Sequence, residues 1–306
     1  MNMQTNGAQF QNATSAAYVL SSKAMLASLT ITQWTARKLD KRVTASTNAA
    51  HGAASNAGNY NKALIAGDAL AKIVTASNAA RSAHYQWTLP WLDDGARILP
   101  AAAYFDYVKA MRSCREAFEA AVTEFTANYD QYCDDAKRRL GDMWQESDYP
   151  AASEIARKFS FGLRQCQVPT SDDFRVQIAE SEAEAIRAEM EIQNKSALDG
   201  AMKDAWERIA DTIGHMSKKL SEFKPATDGS KSSGIFRDSL VDNVKALARV
   251  LPALNIAGDA RLDAVASRIE SELCRYGADE LRESDLIRDK VQSVAADIVA
   301  QVSEFI

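Results

Sequence analysis

The run Gln33-Trp34-Thr35-Ala36-Arg37-Lys38-Leu39-Asp40-Lys41-Arg42 places four cations and an indole within ten residues. Read at 3.6 residues per turn, Arg37, Lys38, Lys41 and Arg42 share one helical face. A cationic face beside an aromatic ring can hold a phosphate backbone while a base stacks, so these four residues and Trp34 are the candidate nucleic-acid contacts. A plainer arrangement is also open, with Trp34 packed inward and the cations forming a solvated face that answers the acidic middle of the chain. The other basic runs, Lys137-Arg138-Arg139 and Lys218-Lys219, are short and interrupted by acids. Trp87 and Trp91, either side of Pro90, are candidate partner anchors because buried indoles dominate many interfaces; they fit equally as the lid of a helical core.

Nothing in the sequence nominates a catalytic residue. The histidines, His51, His84 and His215, stand outside any H-E-x-x-H spacing, and G-x-x-x-x-G-K-[ST], G-x-G-x-x-G and G-x-S-x-G are missing. Asp93-Asp94, Asp134-Asp135 and Asp172-Asp173 are paired carboxylates, commoner on surface turns than around a cation. Cys114, Cys133, Cys166 and Cys274 are too dispersed for a zinc site or a disulfide framework, and Cys114 lies on an apolar stripe. The expectation is a non-enzymatic protein with no metal and no cofactor.

The elements that must position these groups read as helices. In 306 residues, 46% are hydrophobic and 25% charged, the profile of an ordinary globular chain. Tyr104, Val108, Met111, Cys114, Phe118, Val122, Phe125, Tyr129, Tyr132, Ala136, Leu140 and Met143 recur at steps of three and four. They predict one helix of about 40 residues, about 60 Å long, and Pro150 opens a shorter helix after it. A second long helix is expected from just after Ile178 to about Phe223. Its later half carries Met202, Trp206, Ile209, Ile213, Met216, Leu220 and Phe223 at alternating steps of four and three, the seam of a coiled coil or the inner stripe of a helix on a core. The seam residues Met202 to Leu220 are candidates for self-association.

Residues 1–24 read as a loose arm, 25–223 as a long-helix domain, and 224–234, rich in Pro, Gly and Ser, as a linker. Residues 235–306 read as a three-helix bundle, its first helix ending at Pro252 and its last capped by Ser284. Ser28 to Thr32 and Phe174 to Ile178 alternate apolar and polar residues and together suggest one small two-stranded ribbon. The fold class expected is therefore mainly α. The net charge is −5, but up to residue 110 ten Lys and Arg face five Asp and Glu, so basic character is concentrated in the first third. No apolar run reaches membrane-spanning length and the start lacks a secretory pattern, which places the chain in the cytosol.

Leu29-Thr30-Ile31-Thr32-Gln33-Trp34-Thr35-Ala36-Arg37-Lys38, then Thr88-Leu89-Pro90-Trp91, Leu99-Pro100, Phe118-Glu119-Ala120-Ala121-Val122-Thr123-Glu124-Phe125, Asp148-Tyr149-Pro150 and Val168-Pro169 with Asp173-Phe174-Arg175-Val176 carry a resemblance. Over roughly residues 26–225 the chain resembles a family of unknown function found mainly in tailed phages and prophages. The resemblance implies a phage protein in the host cytoplasm, brings no catalytic residues, and hints at a phage-encoded AAA+ ATPase as partner. Taken together, the reading favours a self-associating helical interaction or assembly protein. The alternative is a single-stranded nucleic-acid binding or annealing factor of phage replication or recombination.

Overall fold

The computed structural model describes residues 15–92, 95–171, 176, 178–225 and 232–306. Its chain forms two compact units. The first comprises Met1–Ser28, Gln86–Phe105 and Gln165–Ile306; the second comprises Leu29–Tyr85 and Asp106–Arg164.

Helix accounts for 68% of the structure, yet the fold is an α/β mixture and not the mainly α arrangement expected. Strands β1 (Ala24–Thr32), β4 (Leu89–Pro90), β5 (Arg97–Pro100) and β6 (Ser160–Cys166) form a sheet in the order β4-β5-β1-β6, and β2 (Arg37–Leu39) pairs with β3 (Asn61–Ala63). The alternation at Ser28 to Thr32 belongs to β1, whose earlier residues pair antiparallel with β5, Ala24 opposite Pro100 and Ala27 opposite Arg97. Of the expected partner, Val176 and Ile178 are exposed and outside any strand, while Phe174, Arg175 and Gln177 lie outside the described residues. Strands of two to four residues are too short to display a period, so only their partners define them.

In the first unit the chain is helical from Ala16 to Lys23 (α1), where the arm was expected, with Ser15 Oγ accepting from the Tyr18 amide; residues 1–14 lie outside the described set. Helix α6 (Glu180–Glu222, 43 residues) is the long helix expected. Against it pack α1, α7 (Ser239–Leu254) and α10 (Asp285–Val302). Trp206 meets Phe305 with ring centroids 4.7 Å apart, Ser217 meets Gln292 at 3.4 Å, and the Arg288 guanidinium lies 4.9 Å from the Phe223 ring. Numbers rise along α6 as they fall along α10, so the two run antiparallel. The stripe read as a self-association seam is therefore core: Trp206, Ile209, Ile213, Met216 and Leu220 are all buried, and Met202 is half-buried. Burial of each large apolar side chain contributes roughly 1.5–3 kcal/mol, and α6 obtains it from its own chain.

The helices beyond the stretch read as a linker belong to the same compact unit as α6. Residues 226–231 lie outside the described set. At its edges Lys224 and Ser233 exchange two backbone hydrogen bonds, of 2.9 and 3.1 Å. Gly234 follows with φ +65°, and a Cβ there would stand 2.1 Å from the Glu222 carbonyl oxygen. Gly234→Ala should cost at least about 1–2 kcal/mol from backbone strain alone, read as a lower midpoint in urea denaturation. Beyond this, α7 does not stop at Pro252 but runs on to Leu254, its apolar face continuing through the buried Leu251 and Leu254, although proline takes one amide out of the last turn. Helix α8 (Ala260–Arg268) continues as a π-turn (Ile269–Leu273), and α9 (Ala278–Glu283) precedes α10, whose N-cap Ser284 accepts from the Ile287 amide.

In the second unit the 40-residue helix is divided. α4 (Tyr104–Ala127, entering this unit at Asp106) and α5 (Tyr129–Leu140) are separated by Asn128, whose side-chain amide donates to the Glu124 carbonyl at 2.8 Å. A side chain that bonds its own backbone offers an alternative to the helical ladder. Pro150 opens no α-helix; short 3₁₀ turns stand at Glu146–Asp148 and Ile155–Lys158. The core gathers Phe118, Phe125, Tyr129, Ile155 and Phe159 with Leu64, Ile65 and Ile73, the last on α3 (Ala71–Trp87). His84 is buried on α3 with Nδ1 2.8 Å from the Tyr107 hydroxyl, a core pairing.

Candidate nucleic-acid interface

The run Arg37 to Arg42 does not form one helical face. Arg37 and Lys38 lie on β2, where neighbouring side chains point to opposite sides; Asp40 ends the strand; Lys41 and Arg42 begin α2 (Lys41–Ala50). The break is local: the Asp40 carboxylate accepts from the Val43 amide at 3.0 Å, capping α2. The Asp40 amide in turn donates to the Tyr60 carbonyl, fixing the segment that leads into β3.

Pairing of β2 with β3 sets Lys38 directly opposite Lys62, an arrangement that repels unless an anion intervenes. Asp148 supplies it. Its Oδ1 lies 2.6 Å from Lys38 Nζ and its Oδ2 2.6 Å from Lys62 Nζ. Lys62 also stands 3.4 Å from Asp40 Oδ2 and donates to the Met143 carbonyl at 2.6 Å. The side chains of Lys62 and Asp148 are each 2% exposed and that of Lys38 49%, so one buried carboxylate ties a buried lysine to a surface one. Burial pushes the Asp148 carboxyl up, but hydrogen bonds and attraction from Lys38 and Lys62 outweigh it and hold the group below the usual carboxylate range. Asp40 is also lowered, first by the Val43 amide and then, against some desolvation, by Lys62.

The turn that carries Asp148 is fastened to the unit. Tyr149 donates its hydroxyl to the Leu64 carbonyl and Tyr129 to the Pro150 carbonyl, both at 2.9 Å. Burial pushes the Tyr149 phenol up to about 12, so it remains a neutral donor. Trp144 stacks on Tyr149 and receives Lys137 over its ring at 4.9 Å.

These ties bring a second basic segment to the first. Arg42 donates to the Asp142 carbonyl at 3.0 Å, and Arg139 reaches the Ala63 carbonyl at 2.7 Å. The last turn of α5, which carries Lys137, Arg138 and Arg139 and where cations suit the helix dipole, therefore lies at one corner with the β2–β3 pair and the start of α2. Acids at the corner answer part of this charge: Arg138 pairs with Asp135, and Asp142 and Glu146 are exposed. Tyr60, 39% exposed, is the aromatic there; its amide is held by the Thr44 hydroxyl at 3.0 Å.

Trp34 is not available for stacking on a base. It is half-buried in the core, with ring centroids 6.4 Å from Phe125 and 6.0 Å from Tyr129. Trp87, in the first unit, is buried beneath the Arg249 guanidinium at 5.5 Å and so offers no partner surface; Trp91 is half-buried. Of the paired carboxylates, Asp134 and Asp135 are exposed on α5, while Asp93, Asp94, Asp172 and Asp173 lie outside the described residues. The contributions of Lys62, Asp148 and Tyr60 carried no sequence signal, and Lys137-Arg138-Arg139 was visible only as an isolated run.

The second unit holds sixteen Lys and Arg against thirteen Asp and Glu, the first twenty against twenty-eight. The acidity of the chain thus belongs to the first unit, and the second is weakly basic. Compared with family models, with curated proteins and with solved structures, the chain matches none.

Proposed function

We propose that this chain is a non-enzymatic interaction protein whose second unit holds single-stranded nucleic acid by its phosphate backbone. The observation that carries the reading is the gathering of cations from β2, α2 and α5 at one corner, held there by the buried Lys62–Asp148 pair. A buried pair is expensive to desolvate; here it fixes the strand and helix from which Arg37, Lys41 and Arg42 project. Tyr60 beside them supplies a ring on which a base stacks. The acidic first unit repels the same polyanion, which confines contact to the corner and favours a short, salt-sensitive footprint.

The phage-family resemblance adds the setting: a phage protein in the host cytoplasm, with a phage-encoded AAA+ ATPase as an assembly partner. Among the described residues no helix is long and apolar enough to cross a membrane. With the α6 stripe consumed inside the chain, self-association would need a different surface.

Fluorescence anisotropy with a labelled oligothymidylate tests the proposal. The triple variant R37A/K41A/R42A spares Lys38 and so leaves the buried pair in place. It should bind at least about tenfold more weakly at low salt, with a slope of log K against log salt shallower by about 2, on the order of 0.7 for each phosphate left without its cation. Absence of binding by the unaltered protein at low salt, or an unchanged slope in the variant, would sink the assignment.

A further inference from the structure

The first unit, acidic as a whole, contains a pocket of the opposite character. It has a volume of 240 Å³ and is lined by His215 and Lys219 of α6, by Arg237, and by Ser239 and Asn243 of α7, with Phe236 among its walls. His215 and Lys219 are four residues apart on α6, and Ser239 and Asn243 four apart on α7, so each helix turns two polar side chains to the same side. Arg237, exposed just before α7, completes the ring of donors.

The surroundings hold this arrangement in place and draw a neighbouring acid away. Phe236 is buried, packed on Phe223 with ring centroids 5.2 Å apart and covered by the Arg282 guanidinium at 5.2 Å. Asp238, next to Arg237, carries no side-chain cap for α7; its carboxylate pairs with Arg282 instead. Glu222 is the acid in contact, with Oε2 3.1 Å from Lys219 Nζ. An ammonium has three donors, so Lys219 can serve Glu222 and a second acceptor together.

From this convergence we infer that the pocket binds a single phosphate group, free or as a monoester. The guanidinium and ammonium give charge-assisted hydrogen bonds of the kind that recognise phosphate oxygens, and the hydroxyl, amide and imidazole add further polar contacts. The site is built from different residues than the basic corner in the second unit.

The test is an amide NMR titration of the full chain at low ionic strength, with inorganic phosphate in one arm and thymidine 5′-monophosphate in the other. Saturable shifts of the Arg237, Ser239 and Asn243 amides are expected. R237Q should weaken the binding they report by about tenfold or more, and H215Q by less. Both side chains are exposed, so retained spectral dispersion will show that the variants fold. Because the readout is local, nucleotide bound at the basic residues of the second unit does not register in it. Equal saturation in both arms assigns free phosphate, and tighter saturation by the nucleotide assigns a monoester. Shifts that never saturate in either arm, or that R237Q leaves unchanged, overturn the site.

Discussion

Replacing Lys62 with Met should lower the stability of the second unit by about 3–5 kcal/mol, the usual cost of removing one partner from a buried ion pair. Asp148 would keep only Lys38, Asp40 would lose its lysine, and the Met143 carbonyl would lose a donor. Urea denaturation followed by circular dichroism reads the loss. A double variant, K62M/D148L, removes both charges and should recover more than about 1 kcal/mol relative to additivity, because the two groups interact directly. A loss below about 1 kcal/mol for K62M would mean that water already reaches the pair. The pH dependence has a definite sign. Asp148 and Asp40 are lowered on folding from the ordinary value of 3.8, so their contribution is complete above that value and disappears as pH falls through the folded pKa. The unaltered protein should therefore lose part of its stability on acidification below about pH 4, and K62M should lose less over the same interval.

Ile213→Ala is the second large effect. Ile213 is wholly buried on the stripe that α6 turns toward its own chain, and truncation in such a core costs roughly 2–5 kcal/mol depending on how far the cavity collapses. The outcome separates two uses of the same heptad pattern. A seam between protomers would make the loss appear as dissociation and depend on protein concentration. An intramolecular core makes it appear as a lowered unfolding midpoint that is unchanged over a hundredfold dilution. Sedimentation velocity of I213A alongside the unaltered chain decides between them: a shift from oligomer to folded monomer on mutation would reinstate the seam.

These two residues also show what could be read without a structure. Ile213 stands in a run of apolar residues at steps of four and three, so its helix and its inward face were legible; whether the inward face met another copy or α10 was not, because a stripe specifies only that it must be covered. Lys62 offered nothing to read. It is a lone lysine between Asn61 and Ala63, and its burial depends on β2 lying beside it and on a carboxylate 86 positions later in the chain. Trp34 and its neighbouring cations were legible as a chemical cluster. Their shape was not, because Asp40 caps a new helix at the point where the spacing predicts a continuous one.

By itself the sequence determined the helices with long periodic stripes, the Ser284 cap and the location of basic character in the first third. These follow from short-range rules, the spacing of side chains around a helix and the bonding of a cap to amides three residues away. Tertiary structure alone decided the sheet, the burial of the α6 stripe within its own chain, the meeting of the end of α5 with the β2–β3 pair and the start of α2, and the polar pocket at the start of α7. Each of those rests on pairings between residues far apart in the chain, where a strand of three residues or a single buried lysine acquires its meaning only from the partner placed against it.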